Sequence, residues 1–565
     1  MPVSRCLPFL SSQFWSLFSA RRQPRRKFPL GQVAPADIQL LESRLLLTSI
    51  TVTNLNDSGA GSLRAAVATA NSEVGADTIR FKPGLAGTIR LTTGQLELTD
   101  DVTIAGPGAG LLTISGNQSS RIFTLAGPTV TISGLTLAHG QNTLQDSVGI
   151  VVTRGGAILN DGGHLTLLND TFRNNVAVGP DSTQVVGGGA VVNSGSAELT
   201  VSHCTFLNNT ARGGQNYAFG GAIANVTNST ALITDSVFIG NLATGATTNY
   251  GGALGNFGNS QMTVRNSTFI GNQARGLAGV GEPGQAGFGG AIATRPGTVN
   301  DSGSTTTIQS SVFVSNQAIG GAGGTGQNGG DAGGGALFNN GSELIVTSSS
   351  LTGNVSVGGT AGKNGGAAGR ALGGAVSSMT TSDANLPTTR LTQCVLLGNV
   401  ALGGTAAAPP AGIAAGGAVY NTMGSLQVGK SQLIGNVAVG GLGAGGLGGG
   451  LFNGDSINGH AATATVTDSL ILGNAALGGA RGPASGGGIH NGNLNPSSET
   501  PVVTLTRTTV AGNVAIGHPS GVGGGIATTG TFFVTGPLQS PTGNKIVGNA
   551  ANSKFPNVFG ELTQI

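Results

Sequence analysis

One short stretch has the residues and spacing of a phosphate-binding loop: residues 424–431 read GSLQVGKS, which fits G-x-x-x-x-G-K-S. Such a loop needs a helix after it, because the phosphates rest on the amides of the first helical turn. Here QLIGN and a glycine-rich stretch follow, and they do not predict a helix. Lys430 also occupies the same position of a repeated pattern as His203 and Asp235. We therefore predict that this stretch is structural and that the chain binds no cofactor.

Polysaccharide cleavage is a second chemistry to test on the sequence, because it requires two close carboxylates, or calcium ligands beside a basic residue. Glu198 and Glu343 share a position in the repeated pattern but lie four repeats apart, about 19 Å if stacked parallel strands are ~4.8 Å apart. Asp235 and Asp468 share another position and lie six repeats apart. The regular positions therefore predict no catalytic residue. Carboxylates of the connecting segments can still converge, and these are Asp161, Asp301 and Asp383.

Histidine and cysteine do not show the spacing of metal ligands. The six histidines form no H-x-H or HExxH motif, and the calcium-like stretch 323–334 holds one carboxylate, Asp331. Cys204 and Cys394 lie five repeats apart, about 24 Å at the same ~4.8 Å spacing, which is too far for a disulfide. We predict no metal site and expect both cysteines to be small buried residues.

All of these positions belong to a repeat that starts near residue 150. One half of the repeat is an apolar residue, two further residues and Asn, and the other half is Gly-Gly, a small residue and an aliphatic residue. Eleven copies of each half occur, and successive glycine pairs are 31 to 45 residues apart, which is typical of a solenoid. Equal positions stack in a solenoid, so we predict a ladder of asparagine side chains. Its members are Asn175, Asn209, Asn241, Asn272, Asn316, Asn354, Asn399, Asn436, Asn474, Asn513 and Asn549.

The local patterns predict an all-β chain with one short helix. SLRAAVATAN places Leu63, Ala66, Val67 and Ala70 at helical spacing behind a possible N-cap at Ser62. From 78 to 137 short alternating strands follow one another, and after 150 each repeat contains three strand-like pieces. We predict a single right-handed parallel β-helix of roughly fifteen coils, capped by the helix. Its expected parts are a disordered basic segment over 1–50, the cap and first coils over 51–145, and the repeats over 146–565.

Insertions occur mainly between the asparagine and the next glycine pair, for example at 317–335 and 355–374. These segments are rich in glycine and nearly uncharged. Variable segments on one side of a repeat protein often form its binding face. Flexible low-complexity spacers are the other interpretation, and the sequence does not choose between them.

Composition excludes several classes of function. The formal net charge is +3, with a basic cluster at 21–27, so the rest of the chain has no electrostatic footprint for nucleic acid. Charged residues make up 9% and aromatic residues 4%, whereas 102 residues are glycine. No run of 18 apolar residues predicts a transmembrane helix.

The GGA and F-x-x-N halves together resemble the repeat of the polymorphic outer membrane proteins and of bacterial right-handed parallel β-helix proteins. SGAGSLRAAVATANSEVGADTIRF, with the later VTIAGPG, is similar to the N-terminal region of such exported proteins. LESRLLLT at 41–48 resembles the LE-x-R-x-L-L-Ser/Thr segment of many large planctomycete surface and exported proteins. The resemblance of the repeat implies a β-helix, and that of the segment 41–48 implies export by a family-specific signal.

We therefore expect an exported, secreted or cell-surface protein of structural or adhesin-like character. It would bind polysaccharide or extracellular matrix through side loops or a sheet face, by many weak contacts and without catalysis. The alternative is a polysaccharide lyase or glycoside hydrolase on the same scaffold. A third possibility is a spacer that binds nothing.

Overall fold

The structure, a computed structural model, describes residues 49–142, 155–179, 185–297, 303–380, 385–407, 410–454, 459–494, 499–539, 543–553 and 555–565. The basic segment expected over 1–50 lies outside these residues, except that Ser49 and Ile50 begin the first strand. Asp301 and Asp383 also lie outside them.

A single α-helix in the described part of the chain spans Leu63–Ala70, as the sequence predicted. Ser62 is its N-cap, and its Oγ accepts a hydrogen bond from the backbone N–H of Ala65 at 3.2 Å. This bond satisfies one of the free amides of the first turn. The apolar face, with Leu63 and Val67, is buried against the first coil.

The described residues form five parallel sheets that wind into a right-handed β-helix, as predicted. In a complete coil the chain passes through the sheets in the order C, A, B, D and E. Each strand except the last of its sheet pairs with the strand of the same sheet one coil further on. Sheet A contains sixteen strands, so the helix is about 72 Å long at ~4.8 Å per coil.

The strands of each sheet have the following bounds. Sheet A contains Ser49–Val52, Asp77–Phe81, Val102–Ala105, Thr129–Ser133, His164–Leu168, Glu198–Ser202, Thr230–Thr234, Gln261–Arg265, Thr305–Gln309, Glu343–Thr347, Thr388–Thr392, Ser425–Gly429, Thr463–Thr467, Val502–Thr506, Thr531–Thr535 and Thr563–Gln564. Sheet B contains Gly87–Arg90, Leu112–Ser115, Thr136–Ala138, Thr171–Arg173, Thr205–Leu207, Val237–Ile239, Thr268–Ile270, Val312–Val314, Ser350–Thr352, Val395–Leu397, Gln432–Ile434, Leu470–Leu472, Thr509–Ala511 and Lys545–Val547. Sheet C contains Leu96–Leu98, Phe123–Ala126, Ile158–Asp161, Val191–Ser194, Ile223–Asn225, Leu254–Phe257, Ile292–Arg295, Leu337–Asn340, Val376–Met379, Val419–Thr422, Leu451–Gly454, Ile489–Asn491, Ile526–Thr528 and Val558–Phe559.

The two remaining sheets have shorter strands. Sheet D contains Gln141–Asn142, Val176–Val178, Thr210–Arg212, Leu242–Gly245, Gln273–Gly276, Gln317–Ile319, Val355–Val357, Val400–Leu402, Val437–Val439, Ala475–Leu477, Val514–Ile516 and Ala550–Ala551. Sheet E contains Val186–Gly187, Ala218–Phe219, Asn249–Tyr250, Gly287–Phe288, Ala332–Gly333, Ala371–Leu372, Ala414–Ala415, Gly446–Leu447, Ala484–Ser485 and Gly521–Val522.

Sheets A, B and C enclose the main core, which is one continuous apolar cluster. Its most regular part is a column of phenylalanine rings, the apolar residues of the F-x-x-N pattern. Successive rings are 4.7 to 4.8 Å apart and nearly parallel. This distance equals the spacing of paired strands, so the backbone sets the stack. The column consists of Phe172, Phe206, Phe238, Phe269 and Phe313.

The prediction of three strands per repeat was wrong, because sheets D and E add two more. Their strands are two to four residues long, and their inward residues are mostly alanine or glycine. Ala211, Ala218 and Ala243, for example, pack together in a small cluster apart from the main core. Such short strands of small residues give no alternating apolar pattern. Sheets D and E therefore form a thin second lobe beside the core.

The two lobes join at a narrow waist, formed in each coil by the glycine pair on one side and the ladder asparagine on the other. The first glycine, for example Gly220 with φ +58°, turns the chain from sheet E into sheet C. A Cβ on the second, Gly221, would lie 2.6 Å from the backbone nitrogen of Leu242, where sheet D begins. Only glycine lets the two backbones approach this closely.

The glycine-rich insertions are packed and hydrogen-bonded. Their peptide groups form a chain of backbone hydrogen bonds of 2.6 to 3.0 Å, in which each residue donates its N–H to one member and accepts at its C=O from the next. Bonds between neighbouring coils alternate with bonds within one coil, and we call this chain the relay. A Cβ on Gly359 would lie 2.8 Å from the nitrogen of Gly330 and would collide with the carbonyl oxygen of Gly321. The glycines thus form an ordered layer at the edge of the second lobe. The relay runs through Gln285, Gly321, Gly330, Gly359, Gly369, Gly404, Gly412, Gly441, Ala444, Gly479, Gly482 and His518.

Candidate functional site

The ladder asparagines lie at the waist, buried and hydrogen-bonded. From Asn175 to Asn513, each side-chain Nδ2 donates to the Oδ1 of the next asparagine at 2.8 to 3.0 Å. Asn549 continues to Asn557 at 3.1 Å. Each Nδ2 also donates to a backbone carbonyl of the coil before, as from Asn209 to Phe172. These amides hold the coils together and leave no donor for a ligand.

A second column of buried amides follows the glycine pairs, at Asn160, Asn193, Asn225 and Asn256. Thr294 replaces the asparagine in the next coil. Its Oγ1 and the Nδ2 of Asn256 both donate to a buried threonine, Thr306, at a core position of sheet A. The same arrangement occurs two coils further on. Ser378 replaces the asparagine there, and the buried Thr389 bonds to Ser378 and accepts from the Nδ2 of Asn339. In both cases the two exchanged residues are only 11 or 12 positions apart, and they compensate each other within one coil.

The phosphate-loop match is two strands joined by a corner, as the sequence predicted. Ser425–Gly429 belongs to sheet A and Gln432–Ile434 to sheet B. Lys430 forms the corner with φ +51°, and Ser431 is buried and donates its hydroxyl to the carbonyl of Gly429. No helix follows, so the amides that would hold a phosphate are absent from this place.

The buried cysteines also match their prediction. Cys204 and Cys394 are free thiols within the described residues and are each 1% exposed. Burial raises the pKa of Cys204 to about 12 and that of Cys394 to about 11. Both thiols are therefore protonated at neutral pH and unsuited to nucleophilic chemistry.

Three carboxylates on the outer face of sheet A or at its corner each pair with a basic side chain one coil away. The pairs are His164–Glu198, Glu343–Arg390 and Asp468–Arg507, with closest nitrogen–oxygen distances of 3.0, 2.6 and 2.6 Å. Asp161, at the end of a sheet C strand, accepts a hydrogen bond from Ser194. No group of three or more His, Cys, Asp or Glu within the described ranges is placed to hold a metal ion.

The candidate site is a cleft of about 670 Å³ beside the angle where sheet E meets sheet C. We call it the aromatic cleft. Large residues of one sheet lie against glycines of the other or at its end: Phe219 of sheet E lies against Gly255 of sheet C, and Phe338 of sheet C lies against Gly289, directly after a sheet E strand. The rings of Phe288 and Phe338 stack at 4.6 Å. The residues that give the cleft its character are Tyr250, Phe288, Phe338, Arg295, Asp331 and Arg370.

Arg295 is the unusual side chain of the aromatic cleft. Its guanidinium carbon lies 4.8 Å from the ring centre of Tyr250 and 5.4 Å from those of Tyr217 and Phe257. Three aromatic faces therefore hold the cation by cation–π attraction. Among the residues that the structure describes, no carboxylate pairs with it, and its buried Nε has no hydrogen-bond partner. Burial raises the pKa of the Tyr217 phenol, and the charge of Arg295 opposes that shift.

The opposite rim of the aromatic cleft carries an ion pair. Arg370 donates from Nη2 to Oδ2 of Asp331 at 2.8 Å, and its backbone N–H donates to Oδ1 at 2.7 Å. Tyr250, part-exposed, presents an apolar ring with a polar tip. An apolar wall with a few fixed polar groups is the usual form of a small-ligand or oligosaccharide site.

A second, smaller cleft of about 310 Å³ lies on the outer face of sheet B near the N-terminal end. Arg90 and Arg173 occupy one outward column three coils apart, with only Ser115 and Ala138 between them. The small residues leave room between the two guanidinium groups. His139 also lines this basic cleft, and none of its lining residues in the described part of the chain is a carboxylate. The arrangement suits a negatively charged group.

Sequence reasoning missed both clefts. The aromatic cleft depends on sheet E, whose two-residue strands carry no pattern. One signal was present: an aromatic residue directly precedes the glycine pair in three successive repeats, at Phe219, Tyr250 and Phe288. The basic cleft joins residues that lie 83 positions apart, and only the register of sheet B brings Arg90 and Arg173 to one column.

No protein-family model matches the chain, and no curated protein matches it. The resemblance to polymorphic outer membrane proteins and to the planctomycete segment therefore stays a prediction. Among solved structures, the chain is similar to the A-module of the Azotobacter vinelandii mannuronan C-5 epimerase AlgE6, with 13% identity, 91% of this chain and 99% of that chain covered, and a TM-score of 0.27. It is also similar to the catalytic unit of the GH87 α-1,3-glucanase from Streptomyces thermodiastaticus, with 12% identity, 91% and 70% covered, and a TM-score of 0.27. Similarity this weak carries no information about activity.

The helix Leu63–Ala70 has eight residues, and no helix in the described ranges has the length and hydropathy of a membrane span.

Proposed function

We propose that the chain is an exported, non-catalytic protein that binds an acidic polysaccharide, with the aromatic cleft as its main contact. Arg295 carries this proposal. It is a cation fixed over three rings, without a carboxylate partner among the described residues, at the wall of an open cleft. A uronate or sulfate group would supply the missing anion, and the ring of Tyr250 would cover an apolar sugar face.

The basic cleft supports the acidic character of the ligand. Its two arginines and the histidine face a polar surface of threonine, serine and amide side chains. Binding at two clefts along one rigid rod multiplies weak affinities, provided that one polymer reaches both.

A direct test is calorimetric titration of the full chain with a homopolyuronate, a sulfated galactan and a neutral glucan of matched length. We expect binding of the acidic polymers, weakened by salt, and little binding of the neutral one. Arg295→Gln should weaken binding at least ten-fold. Arg275→Gln is the matched control, because Arg275 is exposed on sheet D outside both clefts. Equal losses in the two variants, or tighter binding of the neutral glucan, would contradict the proposal.

A polysaccharide lyase or glycoside hydrolase is the second candidate, because Asp331 and Arg370 line the same cleft. A hydrolase needs a second carboxylate roughly 5 to 9.5 Å away, and Asp331 is the only carboxylate among the described residues that line the cleft. A lyase needs a cation to neutralise the uronate and a base, and Arg370 and Tyr250, which both line the cleft, are the candidates for these roles. Release of reducing or unsaturated ends from the bound polymer, lost in Tyr250→Phe or Asp331→Asn, would favour the enzyme over the binding protein.

Export is proposed from the resemblance of the segment 41–48 alone. Fractionation of cells that produce the full chain, beside cells that produce a variant without 41–48, tests it. The deletion should retain the protein inside the cell.

A further inference from the structure

Sheets B and D present an extensive uncharged surface to the outside. In the six successive coils from Val312 to Ile516, each coil contributes two outward positions from each sheet. Of these twenty-four positions, five are polar (Gln317, Ser350, Thr352, Gln432 and Thr509), nineteen are aliphatic, and none is charged. Two residues separate the sheet B and sheet D strands of each coil, a small residue and then the buried ladder asparagine. The small residue is Ser315 in the first coil and glycine in the other five, from Gly353 to Gly512. We call this surface the aliphatic face.

The aliphatic residues are part-exposed to a degree unusual for their type. Leu397 is 41% exposed, Leu402 40%, Leu472 37% and Ile516 49%. Charged residues of the same coils stand elsewhere, for example the Glu343–Arg390 pair on sheet A. The absence of charge from the aliphatic face is therefore a property of that face and not of these coils.

The size of the aliphatic face fits a protein interface. Six coils at ~4.8 Å and about eight residues at ~3.3 Å across give an area of roughly 760 Å². The largest apolar patch on an ordinary monomer is about 300–600 Å², and a stable interface buries about 800 Å² on each partner.

The regular spacing of the face makes it complementary to itself. Columns of side chains repeat at the strand spacing in every copy of the chain, so ridges of one copy can fit the grooves of another when the rods lie side by side. A two-fold axis uses the same patch on both partners and closes the assembly. A lipid surface is a poorer match, because interfacial membrane binding uses basic and aromatic residues, and the aliphatic face contains neither.

We propose that the chain forms a two-fold symmetric dimer through the aliphatic face, with a second copy as its occupant. This inference is independent of the proposed polysaccharide binding, since both clefts lie outside the twenty-four positions. Both partners would keep their clefts available, so the dimer would double the number of ligand contacts.

Sedimentation velocity of the full chain over a hundred-fold range of concentration tests the proposal. We expect a concentration-dependent monomer–dimer equilibrium that sodium sulfate shifts toward the dimer, because such salts strengthen apolar association. The double variant Leu397→Lys and Leu472→Lys should be monomeric throughout. Leu232→Lys is the matched control, since Leu232 is 37% exposed on the outer face of sheet A.

Circular dichroism and the melting temperature establish that the variants are folded. A wild-type chain that stays monomeric at every concentration, or a folded double variant that still dimerises, would overturn the proposal. Flotation with phosphatidylcholine vesicles, abolished by the double variant while the wild type sediments as a monomer, would overturn it in favour of a lipid surface.

Discussion

Gly221 lies so close to Leu242, the first residue of the sheet D strand in the same coil, that a Cβ added to Gly221 would be 2.6 Å from the backbone nitrogen of Leu242. The same approach recurs between Gly252 and Gln273, where the distance to the carbonyl carbon is 2.5 Å. The glycine pair and the F-x-x-N half of the repeat are therefore the two sides of one contact. In the coils that contain both halves, the chain passes at this contact from the main core into sheets D and E.

Gly221→Ala should destabilise the chain by about 3 kcal/mol or more, because a backbone contact cannot relax as a flexible side chain would. Gly429→Ala is the control: its Cβ would meet only the Thr467 hydroxyl at 3.5 Å, an ordinary contact. Urea unfolding of the two variants measures the difference. Equal free energies of unfolding for the two variants would contradict the argument, because the backbone at the waist would then accommodate the added Cβ without a loss of stability.

Removal of one ladder asparagine should also be costly. In Asn316→Ala, the Nδ2 of Asn272 and the backbone N–H of Asn272 both lose their acceptor. Buried polar groups without partners cost about 1–3 kcal/mol each, so we expect a loss of about 3 kcal/mol in the free energy of unfolding. Asn208→Gly is the control, because Asn208 is an exposed corner residue with φ +53° and glycine tolerates that conformation. A loss in the control as large as in the ladder variant would contradict the argument.

The main core was predictable from the sequence, and the second lobe was not. Phe206 and Phe238 were recognisable from the recurring F-x-x-N pattern, and Ser62 was recognisable as a cap before apolar residues at helical spacing. Ala211 and Ala218 carry no such signal, because a strand of two or three residues with one small inward side chain looks like a turn. The aromatic cleft depends on that lobe. Tyr250 and Arg295 meet only through the register of sheets C and E.

The glycine-rich segments illustrate the same limit. Their composition allowed either a binding loop or a flexible spacer, and it gave no sign of backbone packing. In the structure, the amide of Gly330 donates to Gly321, and the amide of Gly359 donates to Gly330. A flexible spacer does not describe this ordered layer. The layer lines the aromatic cleft, for example with Gly330 and Asp331, so the binding-face interpretation stays a prediction.

Hydrogen exchange should therefore be slow in the glycine layer. We expect peptides covering Gly321 to Gly330 and Gly359 to Gly369 to be protected well above the rate of an unfolded chain, because their amides are hydrogen-bonded between coils. Gly359→Ala should abolish the protection on both sides of it, whereas Gly445→Ala should not, since its Cβ would meet the side chain of Leu447 at 3.6 Å. If these amides of the wild type exchange at the rate of an unfolded chain, the segments are flexible spacers and the ordered layer is wrong.

Asp170 should make the stability of the chain depend on pH. Asp170 occupies the same position of its coil as Cys204 and Ser236 in the next two coils, and it is 1% exposed. The backbone N–H of Asp170 donates to the Sγ of Cys204, and that of Cys204 donates to the Oγ of Ser236. The Oδ1 of Asp170 accepts a hydrogen bond from the backbone N–H of Leu135 at 2.8 Å, and its buried Oδ2 has no partner among the described residues. Burial dominates and raises the pKa of Asp170 from its ordinary value of 3.8 to about 8.

The sign of the effect follows from proton binding. Between pH 4 and pH 8 the unfolded chain loses the proton of Asp170 while the folded chain keeps it, so the unfolded state binds fewer protons and stability falls as pH rises. At about 1.4 kcal/mol per unit of pKa, the full loss is on the order of several kcal/mol. Asp170→Asn removes the titration. Its advantage in melting temperature over the wild type should be small at pH 4.5, grow through pH 6 and level off above pH 8. Asp235→Asn, at an exposed corner of sheet A, controls for the loss of one negative charge. An Asp170→Asn advantage that stays constant between pH 4.5 and pH 8.5 would show that the buried carboxyl does not titrate in this range.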